Sequence, residues 1–487
     1  MTAPDLARPD LFREDCYLAG EWVGSDDRMA VTNPATGETI ANVPRFGAEE
    51  TRKAIAAAET AMKDWSARTA KDRADVLRKW ADLMKEHRDD LAVIMTAEQG
   101  KPLSESCGEI DYSAGFLEWF GEEGKRIYGD IIPAHAPDKR ILVMKQPIGV
   151  CAAITPWNFP SAMIGRKVGP ALAAGCGMVI KPATATPLSA FAMCVLAEEA
   201  GVPKGLLSCL TGSASDIAGE MTSNFAVRKL TFTGSTEIGS KLMAACAENI
   251  TKLSLELGGN APFLVFDDAD LDDAVEGAIT CKFRNAGQTC VCANRIYVQD
   301  GVYDEFLEKF EAAVRDLKVG NGMEDGTDIG PLIDRDAVEK VREHREDAVS
   351  KGARVVVDGG KSEAGDLFYA PTLLADVPTS AKTSHEETFG PLAPVYRFRT
   401  VEEGIRLAND TVFGLAAYFY ARDYARVMHV AEALEYGIVG HNTGLISTEV
   451  APFGGVKQSG LGREGSKYGI EDYLEIKYLC MSGVKAI

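Results

Sequence analysis

The 487-residue sequence lacks any apolar run approaching the roughly 18 residues that a membrane-spanning helix needs. Its N-terminal segment, MTAPDLARPDLFRED, has acidic residues and prolines where a secretory signal would have an apolar stretch. The eleven cysteines are odd in number and irregularly spaced, so they do not form a disulfide framework. These absences predict a cytoplasmic protein with no membrane partner.

Positive charge is also scarce. The chain has 52 Lys and Arg against 72 Asp and Glu, a formal net charge of −20 and a pI near 4.9. Such a surface repels a phosphate backbone, so nucleic acid is not expected as a partner. A small anionic ligand would have to be bound by local arginine or lysine side chains.

Two successive patterns of strands and helices follow an N-terminal helical region. From about residue 147, the short apolar runs GVCAAIT, GMVIKP, LLSCLTG, RKLTFTGS and KLSLEL alternate with amphipathic segments such as Pro187–Ala200 and Glu237–Asn249. This alternation predicts a doubly wound, mainly parallel sheet, which usually holds a nucleotide at the carboxyl ends of its strands. A second alternation begins near Asn260 and predicts another α/β domain.

Two apolar segments stand outside both alternations, ILVMKQ at 141–146 and YLEIKYLC at 473–480. The second has apolar residues at period two, as expected for a strand. Isolated strands need an edge to pair with, and a partner subunit is one source of such an edge.

Three polar side chains follow strands or turns in motifs suited to acyl chemistry. Cys290 ends FRNAGQTC, where a turn after a helix can expose a thiol and its backbone N–H. Glu256 closes the run LSLEL, and Asn158 is held between prolines in PWNFP. Taken singly, each is more often an inert thiol, a paired acid or a turn amide. Together they provide a nucleophile, a general base and an oxyanion donor.

In their order and separation, the motifs PWNFP, FTGS, LELGGN, GQTC and ETFGP resemble the aldehyde dehydrogenase superfamily over nearly the whole chain. The resemblance implies that Cys290 attacks an aldehyde and that Asn158 and the Cys290 backbone N–H hold the oxyanion. Hydride then passes to a nicotinamide cofactor. Water activated by Glu256 hydrolyses the thioester, and no metal ion is needed.

The resemblance also implies an α/β fold class with a Rossmann-type cofactor domain, an α/β catalytic domain and a small β oligomerisation extension. We place the cofactor domain in residues 1–124 and 148–258 and the catalytic domain in residues 259–460. The extension comprises residues 125–147 and 461–487. A homo-oligomer, either a dimer or a tetramer, is expected.

The cofactor site is not marked by the literal G-x-G-x-x-G at 460–465, because no strand precedes it and no βαβ unit can follow it. The strand-to-helix junction at 233–239 is a better candidate, although an ordinary helix cap would look the same. The resemblance assigns the following residues to the cofactor: Trp157, Lys181, Thr184, Gly234, Ser235, Glu387 and Phe389.

Thr184 bears on the choice between NADP and NAD. Family members that resemble NAD-specific enzymes carry Glu at this position, which would repel a 2′-phosphate. Thr184 removes that repulsion, and Lys181 lies close by in the sequence to pair with a phosphate. We therefore expect NADP to be accepted, while NAD stays possible.

The stretches FRNAGQTCVCANR and APFGGVKQSGLGREGSKYG are similar to the succinate-semialdehyde dehydrogenase branch of the family. This similarity implies a small aldehyde carrying a carboxylate, bound by Arg166, Arg284 and Ser447, with Thr448 an alternative to Ser447. Without the resemblance, each arginine would more often belong to an ion pair. Glutarate semialdehyde is the alternative substrate, because one methylene discriminates by only ~1–3 kcal/mol.

Two other classes of protein were weighed. A catalytically silent protein of the same fold would have lost Cys290, Glu256 or Asn158, and all three are present. A thiol hydrolase would need a histidine beside its cysteine, and none of the six histidines belongs to a cysteine motif. A disulfide redox switch between Cys290 and Cys292 is a separate hypothesis that requires the loop to rearrange.

Overall fold

The structure, a computed structural model, describes residues 4–483. The helices are α1 Ala48–Ala67, α2 Ala70–Glu86, α3 Arg88–Gln99, α4 Leu103–Glu123, α5 Ala162–Ala174, α6 Leu188–Ala200, α7 Ala214–Ser223, α8 Thr236–Cys246, α9 Leu271–Phe283, α10 Tyr303–Arg315, α11 Arg335–Ser350, α12 Val401–Asn409 and α13 Tyr424–Ala433.

The strands are β1 Cys16–Leu18, β2 Glu21–Val23, β3 Arg28–Thr32, β4 Thr39–Pro44, β5 Asp130–Ile132, β6 Arg140–Pro147, β7 Val150–Ile154, β8 Gly177–Lys181, β9 Leu207–Cys209, β10 Val227–Thr233, β11 Lys252–Glu256, β12 Ala261–Val265, β13 Ala293–Gln299, β14 Arg354–Val357, β15 Gly360–Lys361, β16 Tyr369–Ala370, β17 Thr372–Ala375, β18 Leu392–Phe398, β19 Ala416–Tyr420, β20 Ile438–His441, β21 Gly460–Leu461 and β22 Leu474–Met481.

The first large sheet has the strand order β2-β1-β9-β8-β7-β10-β11-β21. Its five central strands, β7 to β11, are mutually parallel, as the five apolar runs predicted. In register, Ile154 lies opposite Lys181 and Phe232, and Thr233 lies opposite Glu256. The carboxyl ends of β7, β8, β10 and β11 are therefore level, and the loops that follow them converge at one edge of the sheet.

The second large sheet has the order β14-β17-β18-β13-β12-β19-β20 and is parallel from β17 to β20. Each large sheet carries its own buried apolar cluster, the first built mainly from residues before 260 and the second from residues after 260. The predicted α/β fold class is confirmed, with two α/β units that are each built on one large sheet. The residue limits of the domains stay a prediction.

The segments that stood outside the alternations pair with each other and do not need an edge from another subunit. Strands β6 and β22 are antiparallel over their full length, from Pro147 opposite Leu474 to Arg140 opposite Met481. With β5 they form a three-stranded sheet. Each of these two strands therefore finds a pairing edge within this chain, and a partner subunit is not required to supply one.

The three-stranded sheet nevertheless exposes several large apolar side chains, namely Ile131, Ile132, Met144, Ile476, Tyr478, Leu479 and Met481. Large apolar side chains exposed together on one small sheet are a feature of protein interfaces. The predicted homo-oligomer stays a prediction. Within residues 4–483, no helix is long and apolar enough to span a membrane.

Candidate active site

The loops at the level edge of the first sheet enclose a cavity of about 280 Å³ between the two large sheets. It contains most of the residues expected at the catalytic and cofactor sites. Those that line it are Trp157, Asn158, Gly234, Ser235, Glu256, Cys290, Glu387 and Phe389. Lys181 and Thr184 lie outside its lining, and no histidine lines it. This arrangement disfavours a thiol hydrolase that depends on histidine.

Cys290 reaches the cavity because the chain turns sharply after α9. Asn285, Ala286 and Gly287 all have positive φ angles of 51°, 54° and 75°. A Cβ atom on Gly287 would lie 2.3 Å from the Gly390 carbonyl oxygen, so the close approach of the two segments requires glycine there. The motif GQTC is therefore needed for its backbone path as well as for its thiol.

The pKa of the Cys290 thiol is raised to about 12, chiefly by burial and further by the negative charge of Glu387 and Glu256. The Arg166 guanidinium acts in the opposite direction and lowers this pKa. At neutral pH the nucleophile is thus held as a thiol. A proton acceptor or a change in its surroundings must generate the thiolate before attack.

Glu256 ends β11 and is buried at 3% exposure. Among the described residues, neither of its carboxylate oxygens has a hydrogen-bond partner. Burial, followed by repulsion from Glu464, raises its pKa well above the usual value, and the nearby cations Arg166 and Lys167 offset this only in part. An unpaired carboxyl of raised pKa, facing a cavity, is suited to accept and release a proton.

Asn158 lies in the loop between β7 and α5. Its side-chain amide nitrogen donates to the Gln288 backbone carbonyl at 2.9 Å. The backbone carbonyl oxygen of Asn158 accepts hydrogen bonds from Lys101 at 2.7 Å and from the Asn285 side chain at 3.1 Å. A carboxamide nitrogen carries two hydrogens, so one N–H is fixed against the nucleophile loop and a second is available to a ligand.

A buried charge cluster lies behind Glu256, and reasoning from sequence missed its centre, Glu464. Its carboxylate contacts Lys167 Nζ at 2.5 Å and Arg166 Nε at 3.1 Å. Glu464 belongs to the G-x-G-x-x-G run, whose first residues form β21, antiparallel to β11. That run therefore begins as an edge strand and does not form a strand-turn-helix unit around a phosphate.

Arg166, which was expected to bind the substrate carboxylate, is fully buried and engaged with Glu464. Its guanidinium also lies 4.1 Å from the Phe453 ring centre. The structure does not place Arg166 in one cavity with Arg284 and Ser447. The ion pair that the residue type alone favours is therefore present. The substrate-binding role of Arg166 stays a prediction.

Arg284 and Ser447 line a second cavity of about 480 Å³. The Arg284 guanidinium lies 4.9 Å from the ring centre of Phe159, which itself lines the cavity that contains Cys290. Tyr112 on α4 also lines the second cavity, and its buried hydroxyl has no hydrogen-bond partner among the described residues. Sequence reasoning missed Tyr112 because one tyrosine in an amphipathic helix carries no distinguishing signal.

The residues expected to bind a dinucleotide fit such a group. Ser235 caps α8, so the N-terminus of this helix opens beside Gly234 on the cavity. Lys181, at the end of β8, is buried and donates to the Pro182 carbonyl at 3.2 Å, and Thr184 is exposed. These donors match a diphosphate and a ribose phosphate.

In the same cavity, Glu387 accepts a hydrogen bond from the Gly259 backbone at 3.2 Å, and burial raises its pKa to about 7. The Trp157 and Phe389 rings meet edge to face with centres 5.7 Å apart. Phe389 has a positive φ of 57°, a strained conformation for an aromatic residue and one that is common at functional sites. Lys340, not expected from sequence, also lines this cavity.

Cys292, two residues beyond the nucleophile, is buried away from it. Its thiol donates to the Lys282 carbonyl at 3.3 Å, and its sulfur accepts from Lys282 Nζ at 3.4 Å. These contacts fit a packing role, and the redox switch with Cys290 stays a hypothesis. Within residues 4–483, no cluster of three or more His, Cys, Asp or Glu is placed to hold a metal ion.

Comparison with known proteins gives consistent matches over nearly the whole chain. The model for the aldehyde dehydrogenase family matches residues 22–479. The glutarate-semialdehyde dehydrogenase of Pseudomonas aeruginosa is 67% identical over 476 residues, which cover 97% of this chain and 99% of that protein. The succinate-semialdehyde dehydrogenase GabD of Escherichia coli, named as NADP(+)-dependent, is 65% identical over 97% of this chain and 98% of its own length.

Among solved structures, one described as an E. coli NADP dependent enzyme superposes on this chain with a TM-score of 0.97. The two sequences are 64% identical, and the alignment covers 98% of this chain and 100% of that one.

Proposed function

Because this chain belongs to the aldehyde dehydrogenase family, we propose that it oxidises succinate semialdehyde to succinate with NADP or NAD, with glutarate semialdehyde as the alternative substrate. The observation that carries the proposal is the meeting of Cys290, Glu256 and Asn158 in one cavity, with Arg284 beside it. The names of the relatives support both semialdehydes and do not separate them.

In the first step, the Cys290 thiol loses its proton to solvent, Sγ forms a bond to the aldehyde carbon, and the carbonyl oxygen becomes an oxyanion. The second N–H of the Asn158 amide and the Cys290 backbone N–H are the donors proposed to bind it. The charge that develops on this oxygen is met by donors already in place, since Asn158 is fixed by its bond to Gln288. Collapse of the adduct, with loss of hydride, leaves a thioester on Cys290.

In the second step, Glu256 takes a proton from a water molecule as that water attacks the thioester carbon. The Cys290 thiolate leaves, regains a proton, and the carboxylic acid is released. Glu256 can do this only when ionised, and its raised pKa makes it a strong enough base to activate water near neutral pH.

The cofactor, when bound, supplies the hydride acceptor. We propose that the N-terminus of α8 with Ser235 binds its diphosphate and that Lys181 and Thr184 contact its adenosine ribose. Glu387, with Phe389, would bind the second ribose, and Trp157 would form one wall. The hydrogen bond from Gly259, which orients one carboxylate oxygen of Glu387, supports this role.

The function is tested by measuring absorbance at 340 nm with purified protein. Succinate semialdehyde, glutarate semialdehyde and a neutral aldehyde of similar length are each supplied with NADP and with NAD. Preference for an acidic aldehyde supports the proposal. Equal or better rates with the neutral aldehyde would keep the dehydrogenase and discard the carboxylate-binding role of Arg284 and Ser447.

Arg284→Ala is expected to raise KM for the acidic aldehyde by about 30- to 100-fold with a small change in kcat, because a charged hydrogen bond to the substrate carboxylate is worth about 2–3 kcal/mol. The loss is measured as kcat/KM for the acidic and neutral aldehydes side by side. Tyr112→Phe is expected to raise the same KM by less than Arg284→Ala does, since it removes only a hydroxyl of this cavity that has no hydrogen-bond partner among the described residues. An equal loss on both aldehydes would show that Arg284 supports the fold and does not bind the carboxylate.

Thr184→Glu is expected to raise KM for NADP by about 10-fold or more and to leave KM for NAD nearly unchanged, because a carboxylate there repels a 2′-phosphate. Thr184 is exposed, so the effect should shrink as salt is added. Thr184→Gln is the matched control, having the same length without the charge. If both variants treat the two cofactors alike, Thr184 does not lie near the 2′ position.

A further inference from the structure

Lys101 is a buried cation that the chemistry above does not use. It follows α3 directly, is 1% exposed, and its ammonium contacts Glu109 at 2.6 Å and the Asn158 carbonyl at 2.7 Å. The ring centre of Phe159 lies 4.0 Å from the same nitrogen. Burying an ion pair costs several kcal/mol in desolvation, so such a pair is weak evidence for stabilisation. The place where it is buried is the informative feature.

Glu109, the partner of Lys101, binds the other end of the loop that contains Asn158. One carboxylate oxygen binds Lys101, and the other accepts the backbone N–H groups of Ser161 and Ala162 at 2.9 and 3.0 Å. The pair therefore binds three main-chain groups of the five-residue segment from Asn158 to Ala162. The segment leads directly into α5, so both of its ends are fixed.

The same helix end also reaches the nucleophile loop. Gln99 donates to the Asn285 side-chain oxygen at 3.0 Å, and Asn285 in turn donates to the carbonyls of Asn158 at 3.1 Å and Gln288 at 3.3 Å. Gly100, between Gln99 and Lys101, has a φ of 94°. At this turn Gln99 contacts Asn285 and Lys101 contacts Asn158. The Asn158 carbonyl thus receives hydrogen bonds from both Lys101 and Asn285.

We propose that Lys101, paired with Glu109, is a positioning residue that sets the place of the Asn158 amide and thereby the strength of oxyanion binding. This inference rests on the oxyanion role of Asn158 in the proposed function. Lys101 would not contact the substrate and would act only through the Asn158 loop. A displacement of about 1 Å at a reacting centre can cost about 100-fold in rate, so small loop shifts have measurable effects.

The test is a double-mutant cycle with Lys101→Met and Asn158→Ala, read as single-turnover and steady-state formation of reduced cofactor. In the otherwise native chain, Lys101→Met should lower kcat and kcat/KM together by about 10- to 100-fold, because a displaced Asn158 amide weakens the binding of an oxyanion that exists only in the transition state. In the Asn158→Ala background, the same change should alter the rate by less than about 2-fold, because residues that act through one group are not additive.

Arg73→Met is the matched control, since Arg73 is also a buried cation that donates to backbone carbonyls, those of Arg68 and Ala173. It should lower the melting temperature and leave kcat unchanged. If Lys101→Met does not fold, Lys101→Met with Glu109→Gln removes both charges, and the amide oxygen can still accept from Ser161 and Ala162.

An unchanged kcat in the Lys101 variant, or a full additional loss in the Asn158→Ala background, would overturn the positioning role while leaving the dehydrogenase intact. Failure of the native protein to reduce NADP or NAD with either semialdehyde would instead overturn the proposed function itself. The two failures are therefore distinguishable from the same set of rates.

Discussion

Replacing Cys290 by alanine is expected to lower the dehydrogenase rate by a factor on the order of 10⁴ or more, because no other group in the cavity can form the thioester. Of the eleven cysteines, all within the residues that the structure describes, Cys290 is the one that lines the cavity with Glu256 and Asn158. The measurement is reduced-cofactor formation with saturating semialdehyde. Cofactor binding, followed by fluorescence, should persist in the variant.

Cys292→Ala is the matched control for the nucleophile, because its thiol lies two residues away and is packed against Lys282. It should retain most of the activity. Inactivation by peroxide that persists in this variant and is not reversed by a dithiol would also remove the hypothesis of a redox switch. A Cys290→Ala protein with near-native turnover would remove the whole proposed mechanism.

Glu256→Gln is expected to uncouple the two steps. Reduced cofactor should form in a burst of about one equivalent per active site, and the steady-state rate should then fall by about 100- to 10,000-fold, because a positioned general base contributes a factor of that size. Stopped-flow absorbance resolves the burst, and mass spectrometry of the quenched protein should find the acyl group on Cys290. Loss of the burst together with the steady state would place the role of Glu256 before thioester formation.

The raised pKa of Glu256 also predicts how activity and stability depend on pH. Burial raises the pKa of Glu256 in the folded protein, so its ionised, active fraction and the native steady-state rate should grow from neutral to alkaline pH. The raised pKa also means that this carboxyl lowers stability as pH rises above its unfolded value. Gln avoids that penalty, so the melting temperature of Glu256→Gln should equal or exceed that of the native protein at neutral pH.

The helices and strands around the site were largely predictable, because their patterns are local. The run KLSLEL became β11 and ended at Glu256, and the run GVCAAIT became β7. The predicted helix at 187–200 is α6, Leu188–Ala200, and the one at 237–249 ends early at Cys246. Such differences arise because a helix end depends on capping and tertiary contacts as well as on periodicity.

The site was predictable to the extent that its residues belong to contiguous motifs. Cys290, Glu256 and Asn158 each lie at a strand end or a turn, and parallel pairing brings such positions to one edge. Tyr112 and Glu464 carried no such signal, because one lies within a helix and the other in a glycine-rich run. Their importance comes from the cavity wall and the charge cluster that they enter only in the folded chain.

The sequence by itself determined the family and the two α/β units, and it predicted the nucleophile, base and oxyanion donor, because each depends on local order in the chain. Only the tertiary structure decided that Arg166 contacts Glu464, while Arg284 lines a cavity with Ser447. Only the tertiary structure placed Lys101 against the Asn158 carbonyl, 57 residues away. The physical reason is that charge pairing and burial depend on distances between segments far apart in sequence, which local patterns do not encode.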